Sequence, residues 1–465
     1  MKRKWLLSAL AASAFMLFSA CGDEPASSAP VTPGGGTPIP ASSADIGGGQ
    51  PVTPVTQSYG ILPTTANATV ALNWAALWKA TYYRTYSQEA ALYPNAALDW
   101  AVIFGNYVAS GLEPARIIWD TQNDSYCVIE ESHDSYKKRG CTVSEAIGYS
   151  MLISFFLNDF TAFNSLWTYN KGYRDYMESN LMPWKVGTYS YESTLSPSNS
   201  SSAADADLDI ATALILAYYS TGNQMYLDDA ILIATAIWEK EISPKHMIYS
   251  GNTATWTKET SAFNLSYFSP IALKLFALVD KAHDWTDVLN TMYTYMQAVQ
   301  AKGPGLIPDW TDVNGSPIDP KNGSAGSTYW RFFHEAVRVP WRIAWDYYWT
   351  QDARAQQVLT GMNNFITAKT GGNPAMLSSE AGMHIYSAVT GMSDSTLKKE
   401  NLQPHFHGAW CLTGMGGNQA WLDACTADFN TKTISGFSYF PHILMTMYGE
   451  LLNGLFVKPA TLPAI

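Results

Sequence analysis

Ala204-Asp205-Ala206-Asp207-Leu208-Asp209-Ile210-Ala211-Thr212-Ala213-Leu214 follows a Ser-rich stretch, 198–202, and opens an apolar run that lasts to Tyr219. Its apolar residues recur at helical spacing, so a loop gives way to a helix just where the acidic residues cluster. Asp205 and Asp209 lie four apart and share a helix face, whereas Asp207 points elsewhere. Three carboxylates this close repel one another in a packed helix unless they meet solvent, a helix N-terminus or a ligand. Compensation of the helix dipole explains Asp207 and Asp209 as well as a functional site does.

The same period recurs on both sides of this helix. Leu72, Trp74, Leu77 and Trp78 carry it through 71–92, and it returns in 98–112, 146–158, 227–240, 270–282, 285–301, 337–350, 353–369 and 443–455. Strand signals are few. About 400 residues shared among twelve helices leave about 33 for each helix with its loop, ample against a mean helix of about 11 to 12 residues. One all-α domain over 59–458 is therefore expected. The lack of α/β alternation argues against Rossmann and TIM architectures, and there is no Gly-rich phosphate loop.

Upstream of the domain, Lys2, Arg3 and Lys4 precede an apolar run from 5 to 20, which is short for a bilayer span of about 20 residues and reads as an export signal over 1–21. Phe18-Ser19-Ala20-Cys21 is similar to a lipoprotein lipobox, which would make Cys21 an acylated first residue; ordinary cleavage after Ala20 is the alternative. Residues 22–58 are rich in Pro, Gly, Ser and Thr, with Gly34-Gly35-Gly36 and Gly47-Gly48-Gly49, and read as a disordered tether. The protein is expected at the cell surface or outer membrane, or secreted, as a monomer whose one membrane contact is a lipid at Cys21.

Lys plus Arg number 28 against 39 Asp plus Glu, a net charge of −11 that becomes more negative without Lys2, Arg3 and Lys4. Such a surface repels phosphate backbones, so nucleic acid is not an expected partner. The 17 Trp and 27 Tyr can stack on sugar rings as well as fill a core. Cys127 with Cys141 and Cys411 with Cys425 form two equally spaced pairs, and local disulfides are preferred among the three connectivities, with four buried thiols as the alternative. No CxxC spacing exists. His334-Glu335-Ala336-Val337-Arg338 begins like a zincin helix but has Arg338 in place of the second histidine. His405 and His407, two apart beside Trp410, read as surface or substrate contacts rather than metal ligands. No metal and no cofactor is expected.

A second acidic motif is Ser144-Glu145-Ala146-Ile147-Gly148-Tyr149-Ser150-Met151, in which Ser144 can cap a helix that begins with Glu145. Together the two motifs resemble glycoside hydrolase family 8. Asp205 through Ala211 matches that family's Asp-(Ala/Gly)-Asp-x-x-Ile-Ala run, with Ala204 where Ser or Thr is usual. Ser144 to Met151 resembles its general-acid motif, with Ala146 and Ser150 replacing glycines. Asn158-Asp159 with Phe163, Leu166 and Trp167, Leu181 through Lys185, and Asn264-Leu265-Ser266-Tyr267-Phe268-Ser269-Pro270 are also similar. The resemblance implies an (α/α)6 toroid of six inner and six outer helices, an open acidic cleft, and inverting hydrolysis of β-1,4-linked glycans.

Carried over by position, the resemblance makes Glu145 the general acid and Asp205 the residue that binds and distorts the sugar at the scissile bond. It makes Trp184 and Trp256 sugar-stacking residues, for which core packing is the alternative, and adds Tyr267 and Asp209 to the substrate-binding set. Glu335, in His334-Glu335-Ala336-Val337-Arg338-Val339-Pro340-Trp341-Arg342, stands where the family commonly has the aspartate base, and Arg338 would orient it. The alternative for Glu335 is a buried ion pair with Arg338 or Arg342, which would leave Asp309 or Asp312 as the nearest carboxylates in sequence to serve as base. The expected activity is endo-acting cleavage of β-glucan, cellulose or xylan. Chitosan, whose positive charge suits an acidic protein, and mixed-linkage β-glucan are the alternatives, together with a binding protein that has lost turnover. Glu145 and Asp205 are expected to converge.

Overall fold

The computed structural model describes residues 59–92, 94–119, 140–186, 201–258, 260–320, 328–378, 385–394, 403–433 and 438–465. The export signal, the tether and Cys127 lie outside the described residues. Within them are fourteen α-helices: α1 (Ala68–Tyr82), α2 (Tyr86–Leu92), α3 (Pro94–Ala109), α4 (Ser144–Phe156), α5 (Phe160–Tyr176), α6 (Ala204–Thr221), α7 (Gln224–Glu241), α8 (Pro270–Val279), α9 (Trp285–Gln300), α10 (Val339–Thr350), α11 (Ala353–Thr370), α12 (Pro404–Thr413), α13 (Gln419–Phe429) and α14 (Tyr439–Leu452).

Helices α4, α6, α8, α10, α12 and α14 pack in that order into a ring that closes from α14 back to α4. Each inner helix packs against an outer partner: α5, α7, α9, α11 and α13 for the first five, and α1 for α14. This is the (α/α)6 toroid. Composition explains which helix goes where. Every residue of α14 is buried, as is α6 from Ala204 to Ala217, so these helices must be enclosed on all sides. Helix α9 buries only Trp285, Val288, Leu289, Met292, Tyr293, Met296 and Val299 along with Gln300, a single stripe suited to an outer layer.

The turns between partners are short because their residues favour them. Gly222 ends α6 in the left-handed conformation and Asn223 caps α7 through the Met225 amide. Helix α4 lies close against α6 because residue 148 is glycine: a Cβ there would stand 3.0 Å from the Asp209 Cβ and 3.1 Å from the Ala206 carbonyl oxygen. That contact brings the two acidic helix starts together.

The stretch 71–92 is not one helix. Its period is broken by β1 (Tyr83–Thr85), which pairs antiparallel with β2 (Ala115–Ile117), so α2 and α3 stand outside the twelve helices of the toroid. Strand pairing in the described residues is otherwise confined to β3 (Thr142–Val143) with β4 (Lys185–Val186), and β5 (Arg331–Phe332) with β6 (Ile385–Ser387) and β7 (Ser393–Asp394), besides isolated bridges. Cys411 on α12 and Cys425 on α13 form a disulfide, as their spacing suggested, and staple an inner helix to its outer partner. Cys141 is also disulfide-bonded, and its expected partner Cys127 is outside the described residues.

Candidate active site

Because inner and outer helices alternate along the chain, the inner helices present their N-termini at one end of the ring. The starts of α4, α6 and α14, the turn before α8 and the 3-10 turn Ala336–Arg338 before α10 together border an open cleft. Glu145, Asp205, Glu335 and Arg338 line it with the aromatic rings of Trp119, Trp184, Tyr267, Tyr439 and Phe440.

Arg338 joins the acids. Its Nη1 donates to Glu145 Oε2 at 2.5 Å and to Asp205 Oδ2 at 3.0 Å, and its Nη2 donates to Glu335 Oε2. The guanidinium also lies 5.3 Å from the centre of the Tyr267 ring. The convergence expected of Glu145 and Asp205 is thus present, and Glu335 joins them. Asn264, quoted above without a role, donates to Glu335 Oε2 at 2.6 Å, so both partners of Glu335 hold the same oxygen. The ion pair offered as the alternative for Glu335 exists, to Arg338. It does not withdraw the side chain, which stays 14% exposed to the cleft.

Three carboxylates around one guanidinium leave excess negative charge. Burial, reinforced by the charges of Asp205 and Glu335, pushes Glu145 up to about 8, against the opposing pull of Arg338 and a hydrogen bond from Tyr439. The Tyr439 hydroxyl donates to Glu145 Oε1 at 3.2 Å. A carboxyl with these neighbours keeps its proton at neutral pH and can deliver it. Tyr267 is held neutral in the same way, by burial and then by the charges of Asp205 and Glu335.

Several positions differ from the sequence expectations. Asp209 does not line the cleft: it is fully buried one helical turn below Asp205, pairing through both oxygens with Arg342, whose Nη2 lies 2.8 Å from Oδ2. Arg342 also donates to the Ser266 carbonyl at 3.2 Å, so the pair ties α6 and α10 to the turn before α8. Asp209→Ala should therefore cost about 3–5 kcal/mol in chemical denaturation by stranding a buried guanidinium. A loss below about 1 kcal/mol would contradict this structural role.

Asp207 is not a solvent-facing dipole partner either. It accepts the Met182 amide, and burial followed by the charge of Glu241 pushes it far above the carboxylate range. Glu241 is pushed up to about 8, chiefly by burial, so this pair retains a proton near neutral pH.

Ser144 lies inside α4 rather than capping it, and its amide donates to the Trp184 carbonyl at 2.8 Å. That bond and the β3–β4 pairing set Trp184 beside Glu145. Trp256 is not a cleft residue: it is 5% exposed and stacks on Trp310 at 5.8 Å in a small separate cluster, and Trp310 in turn meets the edge of Tyr267. Trp310 thus stands between Trp256 and Tyr267.

His405 and His407 are buried on α12, not in a surface loop. His405 Nε2 lies 3.3 Å from His334 Nδ1, and the His407 ring stacks on Phe429. His407, Cys411 and Cys425 lie close enough to suggest a metal site, but the two sulfurs are already joined to each other. Asp312 accepts the amides of Asn314 and Ser316 in an exposed turn, and Asp309 is buried beneath the residue 333–336 segment. Neither lines the cleft. Sequence reading missed Trp119, Tyr439 and Phe440. No acidic motif marks them, and only closure of the ring brings the start of α14 beside α4.

The family model described as glycosyl hydrolases family 8 matches residues 75–400. "Beta-glucanase" of Niallia circulans is 28% identical over 68% of this chain and 83% of its own length. "Endoglucanase C" of Ruminiclostridium cellulolyticum is 29% identical over 59% of this chain and 58% of its own length, and "Endoglucanase A" of Acetivibrio thermocellus is 30% identical over 46% and 44%. The chain thus spans only about half the length of these two endoglucanases. Among solved structures, an apo beta-1,3-1,4-glucanase from Paenibacillus sp. X4 superposes with a TM-score of 0.61 at 22% identity, covering 86% of this chain and 97% of that one. Rex8A from Paenibacillus barcinonensis, complexed with xylose, gives 0.55 at 18% identity, with coverage of 80% and 94%. At these identities the structural likeness speaks for the fold. With the family match extending over more than half of its length, the chain belongs to glycosyl hydrolases family 8 and is a glycoside hydrolase.

Proposed function

We propose that the protein is an endo-acting glycanase that cleaves β-1,4-linked glucan with inversion, using Glu145 as general acid, Asp205 to bind and distort the sugar at the scissile bond, and Glu335 as base. The observation that carries this reading is the junction of the three carboxylates on Arg338 within an aromatic-lined cleft. Protonated Glu145 gives its proton to the glycosidic oxygen as the bond from that oxygen to the anomeric carbon breaks. Glu335 takes a proton from a water that attacks the same carbon from the opposite face, so the product anomer is inverted. Both hydrogen-bond partners of Glu335 engage Oε2, which leaves Oε1 for the water. Arg338 orients the base and offsets the charge that develops at the acids.

Trp119, Trp184 and Tyr267 supply faces on which sugar rings stack. The names of the sequence relatives favour glucan over xylan, while the net charge of −11 keeps cationic chitosan as a second reading. The test is a reducing-sugar assay over carboxymethylcellulose, lichenan, xylan and chitosan, with viscosity followed in parallel. A β-glucan should be cut fastest, with viscosity falling well ahead of reducing-end release. Cleavage confined to chitosan or xylan, or release of monosaccharide from chain ends alone, would overturn the assignment.

The basic start and the apolar run from 5 to 20 support export, with Cys21 as a lipid anchor, 22–58 as a tether and the catalytic domain acting as a monomer. Cys21→Ala should then move the enzyme from the membrane fraction to the soluble one.

A further inference from the structure

Glu335 occupies the N-cap position of the 3-10 turn Ala336–Arg338 that leads into α10, yet its side chain caps nothing. An N-cap residue ordinarily turns its side chain back to accept the orphan amides of the first turn. Glu335 cannot do this while its carboxylate is engaged in the cleft by Arg338 and Asn264. The amides are received by a different residue. Asp309 Oδ1 accepts the Ala336 amide at 2.9 Å and the Phe333 amide at 3.0 Å, on either side of Glu335. The Asp309 backbone is itself fixed, since its amide donates to the Arg331 carbonyl at 3.0 Å.

We propose that Asp309 is a positioning residue for Glu335: from a separate loop it seats the backbone turn on both sides of Glu335, freeing that side chain to face the cleft. The proposal rests on the reading of Glu335 as the base. Asp309 is 5% exposed and does not line the cleft, so its action on the reaction passes through the turn. Its protonation suits the task. Burial, reinforced by the charge of Glu335, pushes Asp309 up to about 8 against the two amide donors and Arg338. Near neutral pH it is an uncharged acid, which still accepts both amides through Oδ1 and adds no further negative charge beside the base.

The experiment compares Asp309→Asn, Asp309→Ser, Asp309→Ala, Glu335→Ala and the double variant Asp309→Ala/Glu335→Ala in the full chain, measuring kcat, KM and melting temperature on the polysaccharide cut fastest. Asp309→Ala should lower kcat about 10²-fold, the usual effect of misplacing a reacting group by about 1 Å, with KM little changed. Asp309→Asn, which keeps an oxygen acceptor and is uncharged, should restore most of kcat. Asp309→Ser, too short to reach both amides, should fall between them, and it supplies the comparison if the alanine variant does not fold. The double variant should be no slower than Glu335→Ala alone, because a residue that acts through Glu335 has nothing left to position.

A lowered melting temperature with kcat per folded molecule unchanged in the alanine and serine variants would overturn the proposal. So would a further loss in the double variant equal to that of Asp309→Ala alone. Full activity in Glu335→Ala would instead defeat the reading of Glu335 as base. Loss of activity in Glu335→Ala with normal kcat in the Asp309 variants would defeat only the positioning role.

Discussion

Glu145→Gln is expected to lower kcat on polysaccharide by about 10² to 10⁴, the usual contribution of a positioned general acid. The amide preserves the shape and the bond from Tyr439, but it has no proton to give. Two further measurements separate proton donation from positioning. On aryl glycosides with a good leaving group the loss should shrink, since the departing phenolate needs little protonation, and an equal loss on both substrate classes would point to a positioning role. The pH profile supplies the other check. Because burial and two neighbouring carboxylates push Glu145 up to about 8, activity should decline as pH rises through that value, where the acid loses its proton. This alkaline limb should vanish from the residual activity of the Gln variant, and its persistence there would assign the limb to another group.

Glu335→Ala should come close to abolishing turnover, and added azide should restore activity with an inverted glycosyl azide as product, since a small anion can enter the vacated space and attack from the same face as the water. Stability should change little. Arg338 keeps Glu145 and Asp205 as partners, so removing Glu335 strands no buried charge, in contrast to removing Asp209. A variant that remained active in its folded fraction but melted at a much lower temperature would reassign Glu335 to structure. Glu335→Asp is a finer test. An inverting pair works at a carboxyl separation of about 6.5 to 9.5 Å, and shortening the side chain by one methylene widens the space available for the water. Substantial retained activity would show that the seat of the turn, rather than side-chain length alone, sets the geometry.

The helical class of the domain and the placement of most inner helices were legible in the sequence because burial on every side requires long, largely apolar runs, and α4, α6, α10 and α14 carry them. The two acidic helix starts were legible as a pair, since compensation of a helix dipole explains carboxylates at the head of one helix but not the two motifs together. The break at Tyr83–Thr85 was not legible, because a three-residue strand exists only through its partner at Ala115–Ile117. Nor was the setting of Trp256, for nothing in the periodicity distinguishes a tryptophan stacked on Trp310 from one facing a cleft.

The aspartates of α6 show where local information ends. The sequence by itself determined that Asp205 and Asp209 share a face, because that follows from the helical repeat. It could not determine their depth. Four residues advance a helix by about 6 Å along its axis, enough to carry one carboxylate from the cleft mouth into the packed interior. Only the tertiary structure decided that Asp205 meets Arg338 beside Glu145 and Glu335, while Asp209 meets Arg342 in a site closed to solvent. The physical reason is that the function of a carboxylate depends on which charges and how much water surround it, and in a closed ring both come from helices distant in sequence.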